Sequence, residues 1–213
     1  YMYIAINGSG IQIIDISDPA VLREVGNYDT PGQAYGIYVS GNYAYVADGD
    51  AGLRIIDVSD PTSPQEVGYY DTSGESRDVY VSDNYAYIAD GDAGLRILDI
   101  SAPASPQEVG YFDTQGEASG IYVSGNYAYI ADGYYGLRII DVSDPTSPQE
   151  IGNYNILWQA YFRRIYISGN YAYIAAEFAG LQIIDVSDPT SPQETGHYII
   201  PLPYPLLPPS KVT

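Results

Sequence analysis

Short apolar runs rich in Tyr, Ile and Val alternate along this chain with turns rich in Gly, Pro, Asp and Ser. A representative stretch holds four such runs, namely YAYVA (Tyr43–Ala47), LRIIDVS (Leu53–Ser59), QEVGYYD (Gln65–Asp71) and RDVYVS (Arg77–Ser82). Aromatic and β-branched residues favour strands, and a Gly or Pro interrupts each run before it is long enough to form a helix. The pattern therefore predicts an all-β protein made of short antiparallel strands joined by tight turns.

This unit of four runs is repeated along the chain. Its first run, Tyr-x-Tyr-[Ile/Val]-Ala, starts at Tyr1, Tyr43, Tyr85, Tyr127 and Tyr171. The spacings are 42, 42, 42 and 44 residues, a period that accommodates four strands per unit. The runs are apolar on both faces, which suits sheets stacked face to face around an axis. We therefore predict a five-bladed β-propeller of four-stranded antiparallel blades, about 42 residues per repeat, as one domain over residues 1–198.

The first two runs of the unit carry a family resemblance. In the copy that begins at Tyr127, YAYIAD is followed by GLRIIDVSDP (136–145). These segments resemble the LVIVD repeat family, and the resemblance extends from Tyr1 to about Tyr198. It implies a β-propeller fold, in a family of bacterial and archaeal proteins that are often large and often predicted to be exported or surface-bound. It supplies no catalytic motif that could be transferred to this chain.

One strand is missing from the expected set. The innermost strand of a propeller blade comes first, and only four segments are suited to form it: Ile37–Ser40, Val79–Ser82, Ile121–Ser124 and Ile165–Ser168. The sequence therefore predicts 19 strands where five complete blades would have 20. The repeat that begins at Tyr1 lacks its inner strand.

Residues 199–213, IIPLPYPLLPPSKVT, form an arm after the last predicted strand. Its prolines favour polyproline II over a regular strand. Three alternatives stay open: the arm closes its own ring, a neighbouring subunit donates a strand to the open blade, or the sequence is one segment of a longer chain. The residues predicted to take part in assembly are Tyr1, Tyr3, Ile199, Ile200, Leu202, Tyr204, Leu206 and Leu207.

The net charge of −19 restricts the partners that are expected. It disfavours nucleic acid and anionic membrane surfaces, and no apolar run approaches the roughly 18 residues of a membrane span. The chain has no Cys, which excludes disulfides and thiol chemistry. The Tyr-rich composition and the start at Tyr1 favour an extracellular or cell-surface location, where the sequon Asn7-Gly8-Ser9 makes Asn7 a candidate glycosylation site.

Two DGDAG turns resemble the first half of a calcium-binding loop. Asp48 with Asp50, or Asp90 with Asp92, would supply ligands, but the distal bidentate carboxylate of such a loop is missing. We interpret both turns as hairpin turns that use Asp and Gly for their backbone conformation. No metal site and no cofactor is expected.

The repeats differ most in the loop before the inner strand, which in a propeller opens around the central channel. Aromatic, Arg and carboxylate side chains there would suit a glycan or a peptide. The candidate ligand-binding residues are Tyr35, Arg77, Asp78, Glu117, Trp158, Tyr161, Arg163 and Arg164. Drift in unselected loops, or Trp158 filling space beside the open blade, would also explain the divergence. No catalytic residue is predicted, although Glu75, Asp78 and Glu117 could supply the carboxylate pair or triad of a glycosidase.

Three features favour a non-enzymatic role: near-identical blades without a catalytic constellation, a missing inner strand, and an apolar arm. We predict a secreted or cell-surface structural protein whose main partner is itself. It would assemble by strand donation into a filament or a surface array, through the open first blade and the arm. The alternatives are a monomeric binding module for a glycan or a surface protein, and a glycosidase.

Overall fold

The computed structural model describes residues 1–155 and 161–199, and it confirms the all-β fold. The described residues form 19 strands and one short 3-10 turn, Glu177–Ala179. The strands build five antiparallel sheets, which follow one another along the chain as the blades of a five-bladed β-propeller. Blades 2 to 5 have four strands each, whereas blade 1 has three, as the missing inner strand predicted.

The strand bounds follow the repeat. Blade 1 consists of β1 (Met2–Ile6), β2 (Gly10–Asp15) and β3 (Arg23–Tyr28). Blade 2 consists of β4 (Gly36–Ser40), β5 (Tyr43–Ala47), β6 (Leu53–Asp57) and β7 (Gln65–Tyr70). Blade 3 consists of β8 (Asp78–Ser82), β9 (Tyr85–Ala89), β10 (Leu95–Asp99) and β11 (Gln107–Phe112). Blade 4 consists of β12 (Gly120–Ser124), β13 (Tyr127–Ala131), β14 (Leu137–Asp141) and β15 (Gln149–Tyr154). Blade 5 consists of β16 (Phe162–Ser168), β17 (Tyr171–Ala176), β18 (Gly180–Asp185) and β19 (Gln193–Tyr198).

Each four-stranded blade is a meander that runs from an inner strand to an outer strand. A two-residue turn joins the first two strands, and Gly41 occupies its left-handed position in blade 2 with a φ of 57°. Asp83 takes the same place in blade 3, with a φ of 52°. A β-bulge interrupts the pairing of the two outer strands in all five blades. Such bulges increase the local twist, which helps the blades to stack around an axis.

The core lies between consecutive blades. Between blades 2 and 3, Leu53 and Ile55 of one sheet share a buried cluster with Val79, Ile88 and Leu98 of the next. Equivalent clusters join blades 1 and 2, blades 3 and 4, and blades 4 and 5. Among the described residues, no cluster of this kind joins blade 5 to blade 1.

A buried Asp connects each of blades 2, 3 and 4 to the loop that precedes it. The Asp48 carboxylate is fully buried and accepts hydrogen bonds from Thr30 Oγ1 (2.5 Å) and from the Gly32 backbone N–H (2.8 Å). Asp90 and Asp132 accept the corresponding bonds from the Thr and Gly of their own loops. Because a buried carboxylate without such donors is costly, these bonds fix the loop that enters each inner strand.

Candidate functional site

The loops before β8, β12 and β16 bring several of the predicted ligand-binding residues together at one mouth of the channel. Arg77 lies at the centre of this channel-mouth cluster. Its Nη2 donates to Glu75 Oε2 at 2.7 Å and also pairs with Glu117, while its Nη1 lies 3.3 Å from Tyr161 OH. Ser119 Oγ donates to the same Tyr161 hydroxyl at 3.0 Å. Blades 3, 4 and 5 therefore share one network of polar side chains.

A second set of contacts crosses the channel mouth. Arg164 Nη1 pairs with Asp78 Oδ1 at 2.7 Å, and its Nη2 donates to the backbone carbonyl of Tyr35 at 2.7 Å. The backbone N–H of Ile121 donates to the other oxygen of Asp78 at 3.1 Å. One Arg of blade 5 is thus connected to blade 3 and to the segment that enters blade 2.

These contacts set the ionisation of the cluster. The hydrogen bond from Arg77 lowers the pKa of Glu75, which keeps that carboxylate charged. Burial raises the pKa of Asp78, although Arg164 and the Ile121 N–H favour its charged form. Burial, together with the hydrogen bond to Glu117, raises the pKa of Tyr161 to about 12. A charged Glu75 held by Arg77 is in the opposite state to that of a general acid, which must carry a proton.

The other predicted channel residues have different surroundings. Tyr35 OH donates to Gln33 Oε1 and also lies beside the Glu75 carboxylate; burial, together with that carboxylate, raises the pKa of the Tyr35 phenol, while its backbone carbonyl accepts from Arg164. Arg163 turns towards Glu177, with 2.8 Å between Nε and Oε1, and lies 4.9 Å from the centroid of the Tyr161 ring. Trp158 lies outside the described residues.

A row of tyrosines follows the inner strands, and the sequence analysis missed it. The ring centroids of Tyr38 and Tyr80, and of Tyr80 and Tyr122, are 4.8 Å apart. Tyr122 and Tyr166 are 5.3 Å apart. The row stops at Tyr166, which is 58% exposed. Each inner strand holds a Tyr two residues before its final Ser, but a repeat alone does not show that these rings meet.

In residues 1–155 and 161–199, no buried cluster joins blade 5 to blade 1, and we call the surface between these two blades the open seam. Inside the chain, the outer-strand Gly of one blade lies against the backbone carbonyl of a Pro in the next blade. A Cβ added at Gly26, Gly68, Gly110 or Gly152 would lie 2.0–2.1 Å from the carbonyl oxygen of Pro61, Pro103, Pro145 or Pro189, respectively. The fifth such Gly, Gly196 in β19, has no heavy atom within 4 Å of that position. The fifth such Pro, Pro19 in blade 1, is exposed.

Apolar side chains on both sides of the open seam are exposed where their counterparts are buried. On blade 5, Leu181 is 37% exposed, whereas Leu53 at the same repeat position is fully buried. On blade 1, Ile16 is 42% exposed, whereas its counterpart Val58 is 4% exposed. Met2 and Tyr171 are exposed in the same way. The seam therefore presents two apolar sheet faces that lack the neighbour found at every internal interface.

The predicted assembly residues that the structure describes differ in their exposure. Tyr1 and Ile199 are exposed. Tyr3 instead packs against the cluster between blades 1 and 2, so its side chain faces the interior rather than the seam. Ile200, Leu202, Tyr204, Leu206 and Leu207 lie outside the described residues.

The remaining candidates concern metal binding and modification. Asp48 and Asp90 are buried and use their carboxylates for the loop contacts above, while Asp50 and Asp92 are exposed. In residues 1–155 and 161–199, no group of three or more His, Cys, Asp or Glu side chains is placed to hold a metal ion. Asn7 is exposed in the turn between β1 and β2.

Fold and repeat together define the class of this protein, a five-bladed β-propeller built from internal repeats. The LVIVD repeat model matches it five times, at residues 1–30, 31–72, 73–114, 115–156 and 161–199, and the chain belongs to the LVIVD repeat family. No curated protein matches the chain. In the part of the chain that the structure describes, no helix is long and apolar enough to cross a bilayer.

Two solved structures of computationally designed proteins are similar to this chain. The crystal structure of the Ika8 protein has a TM-score of 0.68 at 13% identity, over 87% of this chain and 55% of that chain. The chain thus spans just over half the length of Ika8. The crystal structure of the Ika4 protein has a TM-score of 0.60 at 15% identity, over 76% of this chain and 96% of that chain. Likeness at such low identity concerns the fold alone.

Proposed function

We propose that this protein is a non-enzymatic structural component of a cell surface or a secreted assembly, and that it polymerises into a filament or an array. Its main partner would be another copy of itself. The observation that carries the proposal is the open seam, where, among the described residues, one edge of β1 is unpaired and two apolar faces lack a neighbour.

The strand with an unpaired edge is β1. In blades 2 to 5 the equivalent strand pairs on both sides, with the inner strand and with the third strand. In the described residues β1 pairs with β2 alone. Unpaired backbone groups at a sheet edge accept an added strand, and exposed edges of this kind are a common route to association between chains. The arm, residues 199–213, is the candidate donor from a neighbouring copy.

The acidic, Tyr-rich surface is compatible with an extracellular structural role. A net charge of −19 keeps copies from associating without specific contacts, so association would depend on the seam. A carbohydrate on the exposed Asn7 would lie in a turn of blade 1 and would leave the paired strands of that blade intact.

The test compares the intact chain with a chain truncated after Tyr198. Both are examined by negative-stain electron microscopy over a range of protein concentrations. Filaments or sheets from the intact chain, with single discs from the truncated chain, are expected if the arm joins subunits. Filaments or sheets from both chains would support self-assembly and would place the joint within residues 1–198. Single discs from both chains at every concentration would overturn the structural proposal.

Ligand binding at the channel mouth is the second candidate function, and the channel-mouth cluster favours it. Arg77, Tyr161 and two Glu side chains from three blades converge there, with Arg164 beside them. Such convergent polar groups on a rigid scaffold are typical of binding sites. A glycan array would test this function, with Arg164→Ala and Trp158→Ala expected to abolish binding and to leave the oligomeric state unchanged.

A further inference from the structure

We propose that the joint between copies is a fifth use of the blade interface: the exposed face of blade 5 in one copy receives blade 1 of the next. This inference rests on the self-assembly proposed above and specifies its geometry. We call the exposed blade 5 face around Gly196 the socket, and the exposed blade 1 face around Pro19 and Ile16 the plug.

Contacts inside the chain supply the template for this joint. At all four internal interfaces, the outer-strand Gly leaves space for a Pro carbonyl of the following blade. The socket has that Gly, Gly196, with the space empty. The plug has that Pro, Pro19, exposed in the matching turn after β2. A single chain therefore carries both residues of a fifth Gly–Pro contact, Gly196 and Pro19, but these two residues do not touch each other.

A polar contact at an internal interface also has unused counterparts on the socket and the plug. Between blades 4 and 5, Tyr154 OH donates to Glu194 Oε2 at 2.6 Å. The next Tyr in this series is Tyr198 of the socket, which is 64% exposed. The next Glu is Glu24 of the plug, which is also exposed. Seating the plug would bring Tyr198 and Glu24 into the positions of Tyr154 and Glu194.

The apolar surfaces of the socket and the plug correspond to the two faces that meet at each internal interface. Internal interfaces bury the second and third strands of one blade against the following blade. The socket exposes Tyr171 and Leu181 from these strands, and the plug exposes Met2 and Ile16. Burial of these four side chains would supply an apolar contact of the kind that holds the blades together.

The occupant of the socket is a second copy rather than blade 1 of the same chain. Among the described residues, no heavy atom lies within 4 Å of a Cβ placed at Gly196, although all four internal interfaces are formed. Arg164 also connects blade 5 directly to the Tyr35 carbonyl at the entrance of blade 2, which holds blade 5 without using blade 1. Because socket and plug are different surfaces, each added copy exposes a new socket or plug, and the association propagates head to tail.

Two substitutions separate the two surfaces. Gly196→Leu fills the space that the plug needs, and it meets nothing within its own chain. Ile16→Lys places a charge at a position that is nearly fully buried at internal interfaces, yet is exposed in one chain. His197→Leu is the matched control, because neighbouring residues of a strand point to opposite faces. Thermal unfolding of dilute protein should be unchanged for the two seam variants, which shows that they fold.

Sedimentation velocity then measures the oligomeric state of each variant. The wild type and His197→Leu should form a ladder of species that grows with concentration. Each seam variant alone should be a monomer. An equimolar mixture of Gly196→Leu and Ile16→Lys should give a one-to-one dimer and nothing larger, because one intact socket and one intact plug remain.

The outcomes separate this joint from self-assembly in general. If the wild type is monomeric at all concentrations, the proposed function fails and the joint fails with it. If the wild type assembles and both seam variants assemble equally well, self-assembly stands and the blade interface is the wrong joint. If both variants are monomers but their mixture does not dimerise, the head-to-tail geometry is wrong.

Discussion

The strongest test of the open seam in a single chain compares one residue type at equivalent positions of different blades. Leu53, Leu95 and Leu137 begin the third strands of blades 2, 3 and 4 and are fully buried. Leu181 has the same place in blade 5 but is 37% exposed. The chain therefore contains its own control for the substitution Leu→Ala.

The expected magnitudes differ by about a factor of three. Truncating a fully buried Leu loses the transfer free energy of the side chain and leaves a cavity, which costs about 3 kcal/mol. Leu181→Ala loses only part of the transfer free energy and leaves an open site that water fills, so the cost is about 1 kcal/mol. For a chain of this size, these costs correspond to decreases in Tm of roughly 6–12 °C and roughly 2–4 °C.

The assay is thermal unfolding followed by circular dichroism, on monomer isolated by gel filtration and kept dilute. Dilution matters because binding to a second copy would stabilise the folded state and hide the difference. Leu95→Ala and Leu137→Ala are the replicates for Leu53→Ala. A loss for Leu181→Ala as large as that for the three buried positions would show that blade 5 is covered within one chain, and the reasoning about the seam would be refuted.

Three further predictions follow from other contacts. Gly152→Ala should destabilise the monomer strongly, because its Cβ would lie 2.1 Å from the Pro189 carbonyl oxygen, whereas Gly196→Ala should leave the Tm unchanged within about 1 °C since its Cβ would meet nothing; equal effects in urea denaturation would contradict the geometry. Burial raises the pKa of Asp132, so the folded state binds this proton more tightly than the unfolded state, and the stability that it contributes is present at low pH and is lost as pH rises through the folded pKa. The stability advantage of the wild type over Asp132→Asn should therefore shrink as the pH rises above the ordinary Asp pKa of about 4, and a gap that widens would overturn this assignment. Burial and the Glu194 carboxylate raise the pKa of Tyr154 to about 12, so Tyr154→Phe should remove one late-ionising phenol from the ultraviolet titration, and a loss of an early-ionising phenol would contradict the contact.

The fold was predictable because the signal lies within each repeat. The period and the short apolar runs that begin at Tyr43, Leu53 and Gln65 fixed strand number and order, and the 19 predicted strands are confirmed. The missing inner strand was predictable in the same way, since only four segments had the right composition. Strand number and strand order depend on residues that are close together in the sequence.

The site was less predictable because it depends on contacts between repeats. The outer-strand Gly and the Pro of the SDP turn recur in the sequence, but nothing in the repeat shows that Gly68 touches Pro103. The absence of a neighbouring atom at Gly196 has a meaning only by comparison with the Gly–Pro contacts of the other blades. Likewise Arg54 is 9% exposed, pairs with Asp71 at 3.1 Å and stacks over Tyr69 at 4.6 Å, and the repeat alone shows neither contact.

A buried Asp and its Thr donor recur in blades 2 to 4, and both residue types are replaced in the sequence of blade 5. The buried Asp of blades 2 to 4 receives its hydrogen bond from a Thr in the preceding loop. In blade 5 the Asp position holds Ala176, and the sequence position of that Thr holds Ile156. In blade 1 the Asp position holds Ile6. An acceptor was lost together with its donor in blade 5, which avoids an unpaired buried hydroxyl. Three central blades thus keep the same polar connection, whereas the two blades that flank the open seam have replaced it by apolar residues.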